Sequence, residues 1–404
     1  MGYQEELDGD LVLRSLGSER DIDRFAQFNR NFNNEQEGRT CACFLRYQPG
    51  RTLDDAWIVE DKASREIVAT VCLIPWRIRY GSVELRAAML EMVLTHHGYR
   101  GRGLVRKLID RFHARAQEQQ YDLCFIWGIP YFYRQFGYSY AVDGDVREVL
   151  PASRIPTRSA GHRLRPAGTS DIPRLIALHD HATAGLDICV KRDASQWEYL
   201  LQRAQHPIKM LAADGGEETS GYAVILPAAE HLDVIEYSLP TMADGMALLQ
   251  ILREAALPEV RIAWPKQGTL AKLVRALGSQ VVYSSQWLWR IPDMPKLLMR
   301  IAPVLSERLA GSPWHAFSED IVVNTYRAAY KLSFVQGELA GAEVIGFVDS
   351  SMGADGGDLC IPPEALVRLL LGYRMLDELY DAWPDISVKP ERRNLFDTLL
   401  SIGR

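Results

Sequence analysis

Residues 90–112, LEMVLTHHGYRGRGLVRKLIDRF, constrain this chain more than any other stretch. A largely apolar run, Leu90 to Leu94, predicts a strand. A turn carrying Arg100, Gly101, Arg102 and Gly103 follows, and then a helix. Helical spacing sets Leu104, Leu108, Ile109 and Phe112 on one face and Arg106, Lys107, Asp110 and Arg111 on the other. A strand, a Gly-rich turn and a helix start together bind anions well. The first helical N–H groups lack internal partners, and the helix dipole is positive there. Glycines let a phosphate approach the backbone, and arginines add forked donors. The same residues also suit an ordinary strand-to-helix turn with solvated arginines. Two common motifs are excluded. No Gly-x-x-x-x-Gly-Lys-Ser/Thr run occurs, and Arg106 stands where a dinucleotide fingerprint needs its third Gly.

A second segment, LCFIWGIPYFYRQFGY at 123–138, reads as an apolar strand, a Gly-x-Pro break and a short aromatic helix closing on Gly137. Together the two segments resemble the GCN5-related N-acetyltransferases (GNAT). Arg100 and Gly103 match the Arg/Gln-x-x-Gly-x-Gly/Ala acyl-CoA loop of that superfamily, with Val105 where Gly or Ala is usual. The Eis (enhanced intracellular survival) branch carries an aliphatic residue there, in the form of Gly103-Leu104-Val105-Arg106. Tyr133, Phe136, Gly137 and Tyr138 match its Tyr-x-x-Phe-Gly-Tyr motif.

The resemblance implies acetyl-CoA as co-substrate, with no metal and no covalent intermediate. Arg100, Gly101, Arg102, Gly103, Leu104 and Val105 would hold the pyrophosphate. The backbone of Val93, Leu94 and Thr95 would hold the pantetheine on a strand splayed from its neighbour. Tyr133 would protonate the departing thiolate; the other reading of these aromatics is packing under a sheet. A tyrosine near pKa ~10 facing a thiol near ~8.5 transfers its proton uphill by ~2 kcal/mol. Tyr133 therefore needs a lowered pKa, or acts as a hydrogen-bond donor to developing sulfur charge.

The base is less directly encoded. Eis-type enzymes use their own terminal carboxylate, on an aromatic residue after a Pro-rich tail. This sequence ends Leu399-Leu400-Ser401-Ile402-Gly403-Arg404. Arg404 offers a carboxylate with a cationic side chain beside it. Glu91 is the substitute, two residues before Val93 and so expected on the same strand face. Its alternative role is a structural pair with Arg77, Arg79 or Arg86. Phe28, Trp76 and Trp127, with Phe32 and Tyr131, are candidates for an aromatic acceptor pocket, or for core packing.

The expected fold is α/β (α+β), with tandem GNAT-type mixed sheets flanked by helices. Residues 11–24, LVLRSLGSERDIDR, are echoed at 163–174, RLRPAGTSDIPR. This suggests a catalytic lobe over 1–155 and a degenerate copy over 156–291, with strands at Lys209–Ala213, Gly221–Leu226 and Val281–Trp289. Near Pro240–Leu249 the copy has Gly245 but no Arg-x-x-Gly. Residues 292–404 read as a helix at Met294–Leu309, strands at Asp320–Val323, Lys331–Val335 and Gly341–Gly346, a polar loop at Asp349–Gly357 and a helix through Leu366–Leu371. This region resembles the sterol-carrier-like third domain of the same branch.

A net charge of −6 argues against nucleic-acid binding and suits a cationic acceptor. No apolar run is long enough for a membrane span, and the N-terminus does not resemble a signal peptide, so cytoplasm is expected. The six cysteines are scattered, and Cys41-x-Cys43 lacks zinc spacing, so no metal is expected. The functional expectation is acetyl transfer from acetyl-CoA to a small-molecule primary amine in a ternary complex, by a homo-oligomer. The alternatives are a non-catalytic acyl-CoA sensor and a hydrophobic-ligand carrier using the C-terminal domain.

Overall fold

The computed structural model describes residues 2–157, 161–203, 206–213, 218–263, 268–349 and 356–400. The first third contains strands β1 (Gln4–Glu6), β2 (Leu11–Ser15), β3 (Ala56–Asp61), β4 (Ile67–Tyr80), β5 (Val83–Thr95), β6 (Leu123–Ile126) and β7 (Ser139–Pro151). Its helices are α1 (Glu19–Phe32), α2 (Glu35–Tyr47) and α3 (Leu104–Glu118). The middle third contains β8 (His162–Pro166), β9 (Ile188–Val190), β10 (Ile208–Ala213), β11 (Thr219–Pro227), β12 (His231–Ser238), β13 (Glu259–Ile262) and β14 (Gln280–Arg290). Helices α4 (Ile172–Thr183), α5 (Ala194–Gln202), α6 (Met242–Arg253) and α7 (Thr269–Ala276) cover it. The last third contains β15 (Asp320–Asn324), β16 (Ala329–Val335), β17 (Glu338–Gly346), β18 (Leu359–Cys360) and β19 (Ser387–Val388). Its helices are α8 (Met294–Arg300), α9 (Ala302–Ala310), α10 (Pro363–Leu370), α11 (Leu376–Ala382) and α12 (Arg393–Leu400).

Among the described residues, fourteen strands join in one mixed sheet, ordered β1-β2-β3-β4-β5-β6-β14-β7-β13-β12-β11-β10-β8, with β9 paired to β4. The first two lobes are interleaved. β14 lies between β6 and β7, and β7 lies between β14 and β13. Each lobe thus supplies a strand inside the other's sheet, which a linear reading of two consecutive lobes does not anticipate.

The sequence echo at the two lobe starts corresponds to one repeated device. Arg14 makes a two-pronged ion pair with Asp21 at 2.9 and 3.0 Å, and Arg165 does the same to Asp171 at 2.8 and 2.7 Å. Each carboxylate also accepts the backbone N–H of a preceding glycine, Gly17 or Gly168. The pattern Arg, Gly, Asp encodes a strand-to-helix corner, and it occurs twice.

Helix α3 buries the face its periodicity predicts: Leu104, Leu108, Ile109, Phe112 and Ala116 pack against the sheet beside Val71, Leu90 and Cys124. The C-terminal region forms a separate five-stranded sheet, β17-β16-β15-β18-β19. The helix expected over Met294–Leu309 is two helices, α8 and α9, meeting at Ile301 with Pro303 opening the second. Proline has no N–H for the preceding turn, so the ladder restarts. Most of the polar loop expected at Asp349–Gly357 lies outside the described residues. The C-terminal region docks on the first lobe at the β4–β5 turn. There the Tyr80 hydroxyl donates to the Leu370 carbonyl at 2.8 Å, and Gly81 lets Val304 approach where a Cβ would lie 2.9 Å from it.

Candidate active site

Three features converge where β5 ends. The first is a bulge. Met92 has a positive φ of 54°, and the β4–β5 register slips between Thr70 and Cys72. Bulges break the two-residue alternation of a strand. Glu91 and Met92 therefore both line a cavity, while Val93 packs with the α3-side cluster of Leu90 and Leu104. Glu91 and Val93 do not share a face, contrary to the simple alternation expected. Leu94 returns to the opposite core and Thr95 closes the strand.

The second feature is a splay. β5 pairs in parallel with β6 only over Ala87–Met89, opposite Leu123–Phe125. Past Met89 no strand pairing joins the two among the described residues. The β6-facing backbone groups towards Thr95 have no strand partner there among the described residues. An extended amide-bearing chain entering this cleft would complete the ladder.

The third is the turn into α3. Gly101 and Gly103 have φ of 78° and 75°, a region costly for residues with a Cβ, and nothing lies within 4 Å of where either Cβ would be. Gly103 is the N-cap, so no side chain satisfies the first amides of α3. Arg102 lies over the Tyr99 ring at 4.9 Å, and Tyr99 in turn donates to Asp61 at 2.9 Å. Arg100 is exposed, Leu104 is buried, and Val105 packs partly against the α3-side core. The second lobe differs at the corresponding place. Helix α6 is closed by its own capping box, with Asp244 N–H donating to the Thr241 hydroxyl and the Asp244 carboxylate accepting Thr241 N–H. A phosphate there would meet a carboxylate in place of free amides.

Tyr133 sits on the short helical turn Phe132–Phe136 and is buried. Its ring covers Gly128 so closely that a Cβ on that residue would lie 2.2 Å away. Burial, reinforced by the negative charge of Glu91, pushes the Tyr133 phenol well above its ordinary value. The lowered pKa that efficient acid catalysis would want is thus absent, and the phenol is a firmly protonated hydrogen-bond donor.

Glu91 is raised to about 7 by burial, with the nearby Glu37 charge adding to the shift, while the Met92 N–H and the charge of Arg203 oppose it. Among the described residues it makes no ion pair. Of the arginines considered for it, Arg77 pairs with Asp193, Arg79 donates to the Thr183 carbonyl and Arg86 lies over Tyr121.

The cavity it faces has a volume of about 1260 Å³ and is shared by all three parts of the chain. Trp76, Phe125, Trp287 and Trp289 give it an aromatic wall, and Glu37, Glu91, Asp187 and Arg203 line it. Of the expected acceptor residues only Trp76 lines it. Phe28 is buried against Phe32, and Trp127 is exposed, edge-on to Trp287 at 5.0 Å. Tyr131 is exposed with Arg134 over its ring. Arg404 lies outside the described residues. Glu37, Arg203 and Trp287 were not anticipated, because they come from α2, the end of α5 and β14, and only the interleaved sheet gathers them. Among the described residues no group of three or more His, Cys, Asp or Glu is gathered as for a metal ion.

Residues 14–141, which carry the bulge, the splay and the Gly-rich turn, match the family model for an acetyltransferase (GNAT) domain. That match lies wholly within the first lobe. No curated protein matches the sequence. Solved structures resemble the whole chain. A conserved protein of Enterococcus faecalis V583, described as a probable N-acyltransferase, has a TM-score of 0.72 at 14% identity, covering 98% of each chain. A GCN5-related N-acetyltransferase from Kribbella flavida has a TM-score of 0.65 at 18% identity, again covering 98% of each. Eis1 from Mycobacterium abscessus has a TM-score of 0.60 at 15% identity and 97% coverage of each. At these identities the likeness is one of fold. The first lobe and the regions after it follow the architecture of those proteins over nearly their whole length.

Proposed function

We propose that this protein is an acetyl-CoA-dependent N-acetyltransferase of the Eis-like branch, acting on a small-molecule amine by direct attack in a ternary complex. The observation that carries the reading is Glu91, unpaired and poised near neutrality, on a bulge between the splayed β5–β6 cleft and the large aromatic cavity. The pyrophosphate lies on the uncapped start of α3 with Arg100 and Arg102. The pantetheine extends along Val93–Thr95.

The acceptor nitrogen enters as an ammonium. Glu91, directly or through one water, takes a proton from it, and the free amine attacks the thioester carbonyl carbon. The C–S bond breaks, and the Tyr133 hydroxyl donates to the sulfur as charge develops there. An ordinary glutamate near ~4.3 faces an ammonium near ~10 across about six units, and raising the glutamate to about 7 halves that gap. On this reading Glu91, already the substitute base suggested by the sequence, takes that role.

The carrier reading has less support. Among the described residues, a void in the apolar interior of the C-terminal region, lined by residues such as Leu298, Ile321 and Phe396, has a volume of about 10 Å³. That is far too small for a lipid, and the sterol-carrier-like resemblance of this region rests on sequence pattern alone.

The test is thiol release from acetyl-CoA over a panel of amines, with wild type, Glu91→Gln and Tyr133→Phe side by side. Turnover that collapses in Glu91→Gln supports the proposal. Acetyl-CoA binding without turnover on any amine would leave the sensor reading instead.

A further inference from the structure

Of the arginines that line the cavity, Arg192, Arg203, Arg368 and Arg374, Arg203 comes from the same wall as Glu37 and Glu91 and is not used by the proposed chemistry. Arg203, which ends α5, lines the wall near Glu91 and feels its charge, yet the two form no ion pair. Its guanidinium lies over the rings of Phe44 at 5.1 Å and Tyr199 at 5.9 Å. Its Nε is buried without a hydrogen-bond partner, and no carboxylate reaches it among the described residues.

The neighbouring Arg192 shows the contrast. It is locked to Glu236 through both of its terminal nitrogens, with Tyr222 donating to the same carboxylate at 2.8 Å. A half-buried guanidinium without an anion is costly, and a ligand anion would offset that cost.

We infer that the acceptor is an amine that also carries a carboxylate, its nitrogen at Glu91 and its carboxylate on the fork of Arg203. This rests on the acetyltransferase reading above and narrows its substrate class. A monoanion fits better than a phosphate, because Glu37 and Glu91 already make this wall negative and would repel a second charge. The aromatic wall of Trp76, Trp287 and Trp289 lies across the same cavity and takes an apolar or aromatic body. A free apolar α-amino acid has all three parts.

The experiment compares matched acceptors that differ only in the carboxylate: phenylalanine, phenylalaninamide and phenethylamine, each with acetyl-CoA. Wild type should favour phenylalanine over phenethylamine in kcat/KM by about 10- to 100-fold, the worth of a charged hydrogen-bonded pair. In Arg203→Met, which keeps the stem over Phe44, that ratio should collapse towards one, chiefly through KM for phenylalanine. Equal use of the three acceptors by wild type overturns the inference. So does a preference that survives in Arg203→Met.

Calorimetric binding of phenylalanine to the CoA-loaded protein separates the two proposals. Binding that is lost in Arg203→Met, without turnover, retains the carboxylate site and sinks the acetyltransferase reading. Turnover confined to carboxylate-free amines does the reverse. Neither binding nor turnover of phenylalanine overturns the inference as well.

Discussion

The hydroxyl of Thr70 donates to the carbonyl of Met92 at 2.8 Å, across the one break in register between β4 and β5. This buried bond holds Met92 in its positive-φ conformation. The bulge in turn directs Glu91 into the cavity and Val93 away from it. A conformation of this kind costs on the order of 1–2 kcal/mol and persists only where its surroundings fix it. Thr70→Val keeps the shape and removes the bond. It should lower acetyl-transfer activity more than it lowers Tm, as measured by thiol release and thermal unfolding on the same preparation.

Glu91 should set the pH dependence. With its carboxyl raised to about 7, kcat/KM should rise through neutrality and level off above about pH 8. Glu91→Gln should cost roughly 100-fold or more and flatten that limb. A steady-state profile from pH 5.5 to 9 checks both, and an unchanged limb in the variant would assign the ionisation elsewhere.

The same carboxyl has a stability signature of opposite sign to activity. Its folded value lies above its unfolded one, so between about 4.5 and 7 the native state holds more protons than the unfolded chain. Stability contributed by Glu91 is therefore lost as pH rises through that window. Glu91→Gln should raise Tm relative to wild type at pH 8 and leave it nearly unchanged at pH 4.

Asp21 should behave in the reverse way. Despite burial, the guanidinium of Arg14 and the Gly17 N–H hold it down at about 2. Its contribution is present above the ordinary carboxylate range and lost as pH falls towards 2. Asp21→Asn should lower Tm at pH 7, and the gap to wild type should narrow in acid.

Gly103→Ala should act on the co-substrate. Alanine at a φ of 75° costs about 1 kcal/mol of stability and sets a methyl group where a phosphate is to approach. KM for acetyl-CoA should rise several-fold with kcat largely retained, whereas an equal loss in Thr241→Ala of the second lobe would deny the first lobe its special role.

The legible parts of this molecule were those written in local chemistry. The Arg100–Gly103 turn, the amphipathic face of α3 and the Arg-Gly-Asp corners each specify a short-range geometry, and each was readable in the sequence. The cavity was not. Trp287 reaches it because β14 crosses into the first lobe, and Arg203 reaches it from a helix end more than a hundred residues beyond Glu91 in the chain. Alternation also misled at Glu91, since a single bulge reverses every side chain beyond it. No residue pattern announces such a slip when its cause is a threonine on the neighbouring strand.

The crossing of β14 between β6 and β7 has a consequence for how the molecule is made. β6, which borders the splayed end of β5, receives its second neighbour only after the whole middle lobe has left the ribosome. Until then its far edge presents unpaired N–H and C=O groups, and the loop that must close to cover them is very long. The sheet of the first lobe therefore cannot be completed ahead of the second lobe. The second lobe cannot be removed without leaving the sheet of the first unfinished.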